Sequence, residues 1–310
     1  MAEILHVILF LVPDFPLSIQ TCVLVARTPR PPPTSRDPAT RDQDRVHTTA
    51  ARRPRAHPVL INFCGSGFIL ATFGSDDEYC RYVANSTDYT VIDVQYRLAP
   101  ENPFPAAYND GEDVVKWVLS QPDRFDPAQV SLSGFSAGAN IALSISSSSQ
   151  CFNHDEKQNT FRTIICFYGP TDMNVPTPEK TQSDSSNWIM RKIFPGFSHL
   201  CHKCLNMGQV DPKDPRISPS YADPQSFPDR SLFISAAQCS FGIEAEKLSQ
   251  KIGAVEGKFS AAIRMNGCAH GWDKEAVRGT SQCRAKDEAY AAAVKILKDG
   301  ERMDLKGSDI

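Results

Sequence analysis

The stretch "VSLSGFSAGANIALSISS", Val130 to Ser147, constrains the fold more than any other part of the chain. A strand-like run ends in G-x-S-x-G and passes at once into a helical sequence. A side chain at Gly134 or Gly138 would collide with its neighbours in the tight strand-to-helix turn that holds a serine oxygen outward. That context makes Ser136 a candidate nucleophile. It also gives Ala137 a role, because a backbone N–H at the start of a helix can face a developing oxyanion.

The surrounding text repeats the same grammar. After His57 come strand "PVLINF", helix "SDDEYCRYVA", strand "YTVIDVQY" and a helix whose Val114, Val115, Val118 and Leu119 fall at helical spacing. Strands "TIICFYG", "SLFISAA" and "FSAAIRM" and helices "EAEKLSQKI" and "KDEAYAAAVKILK" complete the series. This alternation predicts an α/β fold, a mostly parallel sheet with helices on both faces. With 310 residues, 41% of them hydrophobic, one large core is expected. The expected organisation is a body over 57–300, interrupted at about 170–229 by a loop-rich insertion that reads as a cap with a short helical piece near Trp188, and a tail over 301–310.

Residues 1–56 read differently. Ile4 to Val12, "ILHVILFLV", is too short to span a bilayer and is interrupted by Pro13, Asp14 and Pro16, so no stable membrane insertion is expected. The start Met-Ala-Glu lacks the basic opening of a secretory signal, and a cytoplasmic location is the expectation. "RPPPTSRDPATRDQDR" has no apolar period and reads as a linker. A net charge of −3 gives no pull toward nucleic acid. Most of the ten cysteines read as reduced core residues. "CHKC", Cys201 to Cys204, lacks the second pair a zinc site needs and reads as a cap loop, so no metal is expected.

A serine hydroxyl needs a neighbouring base. "NGCAHGWDK" supplies His270 in a glycine-bounded loop after the last strand, the address of the base in hydrolases ordered serine, acid, histidine. "FCGSGF", Phe63 to Phe68, and "YRLAPENPFPAAYND", Tyr96 to Asp110, join these two motifs in order. From about Pro58 to Lys298 the chain resembles the hormone-sensitive-lipase-like branch of the alpha/beta-hydrolases, the fold-3 group, and in particular fungal members that read "NFHGSGF", "YRLAPE", "GFSAG" and "HAWDK".

The resemblance implies a serine carboxylester hydrolase acting on small to medium acyl esters, without cofactor. It implies oxyanion N–H groups at Gly65 and Ser66 beside Ala137, and a cap built from the N-terminus and the 170–229 insertion. Cys64 replaces the family's loop-shaping histidine, and the two leading antiparallel strands of the family cannot be traced. The sharpest departure is "CSFGIEAE", where Cys239 stands at the usual place of the triad aspartate. A neutral thiol is a weak acceptor for the histidine Nδ1–H. Asp172 in "FYGPTDMN" is the candidate substitute, placed where some lipases of this fold carry the acid, and the alternative is an ordinary loop or cap acid; Glu244 is carried away by its helix, and Asp273 is too close in sequence to His270 to reach around its ring. Two other readings stay open: a pseudoenzyme of the same fold that binds a small apolar ligand, and a lyase of secondary metabolism.

Overall fold

The structure, a computed structural model, describes residues 8–10, 23–26, 56–148, 152, 160–176, 179–180, 188–205 and 207–298. The linker and the C-terminal tail named above lie outside these residues. Eight strands form one sheet: β1 (Ile8–Phe10), β2 (Val23–Ala26), β3 (His57–Phe63), β4 (Thr90–Val94), β5 (Phe125–Phe135), β6 (Thr163–Phe167), β7 (Arg230–Ala236) and β8 (Phe259–Met265). Their order is β1-β2-β4-β3-β5-β6-β7-β8. The six from β4 to β8 along the sheet are parallel, and β2 joins β4 antiparallel.

Helices α1 (Asp77–Ser86), α2 (Ala106–Leu119), α3 (Ala137–Ser147), α5 (Gly242–Gly253) and α6 (Ser281–Lys298) cover the sheet, and α4 (Trp188–Cys204) lies in the insertion. Strands β4 and β6 are buried at every position, as expected where helices cover both faces. Neighbouring side chains alternate between two cores: Ile61 packs with Val114 of α2 and Leu143 of α3, whereas Leu60 packs with Tyr79 of α1 and Ala293 of α6. Because the chain passes from β3 to β4 on one side and then to β5 on the other, the loops after β3 and β5 open side by side at the carboxyl ends of the strands.

Two expectations are corrected. The leading antiparallel strands are present: Leu9 pairs with Leu24, and Leu24 with Asp93, so part of the apolar N-terminal segment extends the sheet instead of joining a cap. The helix near Trp188 is not short. It runs 17 residues, straight through Pro195 and Gly196, and Cys201 to Cys204 form its last turn instead of a loop. Phe197, Ser198, Cys201 and His202, at one- and four-residue spacings, put one face of this helix on the cleft over β5. No helix among the described residues is long and apolar enough to cross a membrane.

Candidate active site

Ser136 occupies the bend between β5 and α3 at φ 51° and ψ −118°, a backbone region that non-glycine residues rarely enter. Its N–H donates to Phe167 O at 2.9 Å, and its carbonyl accepts from Asn140 N at 3.1 Å. A Cβ on Gly138 would fall 2.0 Å from Phe63 O, and one on Gly134 would fall 2.5 Å from the Gly138 carbonyl carbon. The bend is therefore possible only with glycine at both flanks.

The loop after β8 brings His270 to this bend, with Nε2 2.8 Å from Ser136 Oγ. Burial pushes the imidazole down to about 4, with Asp273 opposing the shift, so the ring is neutral near pH 7 and able to accept a proton. At Nδ1 the neighbour is Cys239 Sγ, 3.2 Å away. Cys239 is 3% exposed, and burial pushes its thiol up to about 12. The serine, histidine and thiol thus lie in line, with a neutral group where a carboxylate is usual.

Asp172 is not the substitute that the sequence reading expected at Nδ1. Its carboxylate accepts from Asn174 N at 2.9 Å, a local turn bond, and from Tyr221 OH at 3.3 Å. Glu244 is drawn to Lys180, 2.7 Å away, and to the Thr171 N–H at 2.8 Å.

The loop carrying Gly65 and Ser66 is braced from below. Tyr96 OH donates to Cys64 O at 2.7 Å and lies 2.6 Å from Ser66 Oγ, which in turn accepts from Phe68 N at 2.9 Å. Cys64 thus takes part through its carbonyl, and its buried side chain packs in the core. A Cβ on Gly65 would lie 3.2 Å from Phe135 O, which shows how closely this loop passes the residue preceding the serine. Ala137 opens α3 beside them, at the positive end of a helix of 11 residues. Over these groups lies a pocket with an empty volume of ≈ 400 Å³, lined by Ser136 and His270 and walled by Phe68, Met173, Phe197 and Phe241.

Behind the imidazole lies a polar cluster that the motif reading did not anticipate. Asp273 accepts from Tyr168 OH at 2.6 Å and from Tyr290 OH at 2.9 Å, and sits 2.9 Å from Lys274 Nζ. The same ammonium lies 2.7 Å from Asp76, which Asn62 links to Asp93, and 3.4 Å from the centre of the Phe135 ring. The carboxylates of Asp76 and Asp273 are fully buried. The signal available in the sequence was the pair of charges in "WDK", next to a tryptophan that is itself buried. Among the described residues no group of three or more His, Cys, Asp or Glu side chains is placed to hold a metal ion.

A family model described as the alpha/beta hydrolase fold matches residues 60–274. The carboxylic ester hydrolase LipN of Mycobacterium tuberculosis is 29% identical over 171 residues, 54% of this chain and 45% of that protein. The gibberellin receptor GID1 of Oryza sativa subsp. japonica is 40% identical over 100 residues, 30% of this chain and 28% of the receptor. The matches thus span less than half the length of these curated relatives. The hyperthermophilic esterase of Pyrobaculum calidifontis superposes with a TM-score of 0.68 at 23% identity, covering 90% of this chain and 79% of that one, which is a likeness of fold. The strand order, the serine bend and the match over residues 60–274 agree: this chain belongs to the alpha/beta hydrolase fold family, in its fold-3 branch.

Proposed function

We propose that the chain is a serine carboxylester hydrolase for small to medium acyl esters. The observation that carries this reading is the 2.8 Å approach of His270 Nε2 to Ser136 Oγ at a strained bend under an apolar pocket. Ser136 Oγ attacks the ester carbonyl carbon while Nε2 takes its proton. The oxyanion is held by the N–H groups of Gly65, Ser66 and Ala137. Collapse breaks the C–O bond, and the leaving alcohol takes the proton from the imidazolium. A water molecule gives a proton to His270 Nε2 and attacks the acyl carbon; the C–Oγ bond then breaks, the carboxylic acid leaves, and Ser136 Oγ takes the proton back from Nε2. Residues 170–229, with α4, act as a cap over the acyl group, and the setting is read as cytoplasmic.

The weak step in this scheme is charge. When Nε2 is protonated, Nδ1–H faces a buried thiol. An acid-to-amide change in a serine protease lowers kcat by about 10⁴-fold, yet oxyanion hole and binding alone leave roughly 10³–10⁴-fold over water. A slow esterase on activated esters is therefore expected. The test is hydrolysis of p-nitrophenyl acetate and butyrate with Ser136→Ala as control, together with fluorophosphonate labelling of Ser136. Turnover and labelling that vanish in the variant support the reading. A second reading, a ligand-binding pseudoenzyme, draws on Cys239 and on the partial likeness to the gibberellin receptor. Equal rates for parent and Ser136→Ala would favour it.

A further inference from the structure

Tyr168 follows β6 directly and is held at φ 40°, another rarely populated conformation for a residue with a side chain. Such a conformation persists only where the surroundings over-determine it. Here they do so at three points. Its N–H donates to Ile234 O at 2.7 Å, its hydroxyl donates to Asp273 at 2.6 Å, and its ring meets the Trp272 ring edge-to-face at 5.2 Å. The ring also meets the imidazole of His270 at 4.9 Å between centres and 68° between planes. Phe241 approaches the imidazole at 5.6 Å and 82°. Meanwhile the carbonyl of Phe167, one residue earlier, holds the N–H of Ser136. One short segment therefore touches both the nucleophile's backbone and the base's ring.

In a triad with a carboxylate, that acid orients the imidazole as well as stabilising its charge. The first task can be done by packing. We propose that Tyr168 is the positioning residue for His270: Asp273 anchors its hydroxyl, and its ring holds the imidazole plane toward Ser136 while Cys239 Sγ stands at Nδ1. The proposal rests on the hydrolase reading for its kinetic consequences only. Asp273 lies on the histidine loop itself, three residues after His270, and Lys274 beside it is held by Asp76 from outside the loop, so anchor and imidazole are fastened together.

Tyr290 supplies the control. Its hydroxyl donates to the same carboxylate, but its ring packs on Tyr79, Tyr82 and Phe167, so its loss probes the carboxylate without touching the imidazole. Misplacement of a reacting group by about 1 Å can cost on the order of 10²-fold, so Tyr168→Phe, which leaves the ring in place but unpinned, is expected to lower kcat about 10-fold. KM is expected to stay within about two-fold, because the ring orients the base and does not bind substrate. Tyr290→Phe is expected to leave kcat within about two-fold of the parent. In a Cys239→Asp background, where a carboxylate orients the ring, the cost of Tyr168→Phe is expected to shrink to about two-fold, a coupling that a purely structural defect would not produce. Equal losses in both backgrounds, or equal losses for Tyr168→Phe and Tyr290→Phe, would overturn the proposal. A second arm needs no turnover. With ¹⁵N-labelled histidine, the ring nitrogen resonances of His270 are expected to move toward a mixture of tautomers in Tyr168→Phe and to stay in place in Tyr290→Phe; unchanged resonances in both would refute the assignment even if the parent proves inactive.

Discussion

At Nδ1 of the His270 imidazole the loop after β7 offers a neutral thiol, whereas the loop after β8, which carries the ring, is fastened by an ammonium between two buried carboxylates and by the Tyr168 hydroxyl. The two sides face the same ring and do opposite things. A neutral thiol on the Cys239 side is a weak acceptor for Nδ1–H and would not offset the charge that the proposed mechanism puts on the imidazole. The Asp273 side fixes the loop with ion pairs to two fully buried carboxylates, where breaking one partner is costly. On the proposed hydrolase reading, the contrast assigns holding the base in place and stabilising its charged form to different residues.

The contrast breaks most sharply at Lys274. Replacing it by Met would leave Asp76 and Asp273 facing each other in the interior without the ammonium between them. Removing one partner of a buried ion pair costs roughly 3–5 kcal/mol. A urea titration followed by circular dichroism reads this as a lower midpoint, and an unchanged midpoint would mean that the cluster does not fasten the loop. Next in size is Cys239→Asp, which builds the missing acid beside a base that is already placed. A gain in kcat of about 10²–10³-fold on p-nitrophenyl butyrate is expected, since it reverses most of the loss known for a missing triad acid. A gain below about three-fold would show that the two tasks are not separable here.

These two sides were unequally legible in the sequence. The serine bend and the histidine loop could be read because each is local: glycines at fixed offsets, a strand before and a helix or turn after. The register of Cys239 was legible for the same reason, through Glu244 and Glu246 downstream. The opposite side is made of long-range contacts. Tyr168 and Asp273 lie 105 residues apart, and Asp76 reaches Lys274 from the other end of the domain, so no periodicity announces them. Of the two readings of Asp172, the loop acid is the one its contacts support, because a carboxylate in a loop satisfies itself within two residues, at Asn174 N. The N-terminal strands escaped because they are three and four residues long within a segment broken by prolines, too short for a pattern to emerge.

The smallest expected effect, on pH dependence, sharpens the comparison further. Burial holds the imidazole down to about 4, and the thiol at Nδ1 adds no charge to counter this. His270 must be neutral to take the proton of Ser136, so kcat/KM is expected to stay level as pH falls from 8 and to decline only near pH 4. Over the same window the unfolded chain binds a proton on this histidine that the folded chain refuses, so stability also falls as the pH drops from the ordinary histidine value toward 4. Circular dichroism at each pH separates the two effects. An aspartate at position 239 would favour the imidazolium and move the acid limb upward by about 1–2 pH units, since an adjacent opposite charge raises a histidine's affinity for its proton. The direction of that move discriminates between the two flanks. If the limb of the parent already lies near the ordinary histidine value, the Asp273 side is supplying the charge as well as the orientation, and the division of labour between the two loops fails.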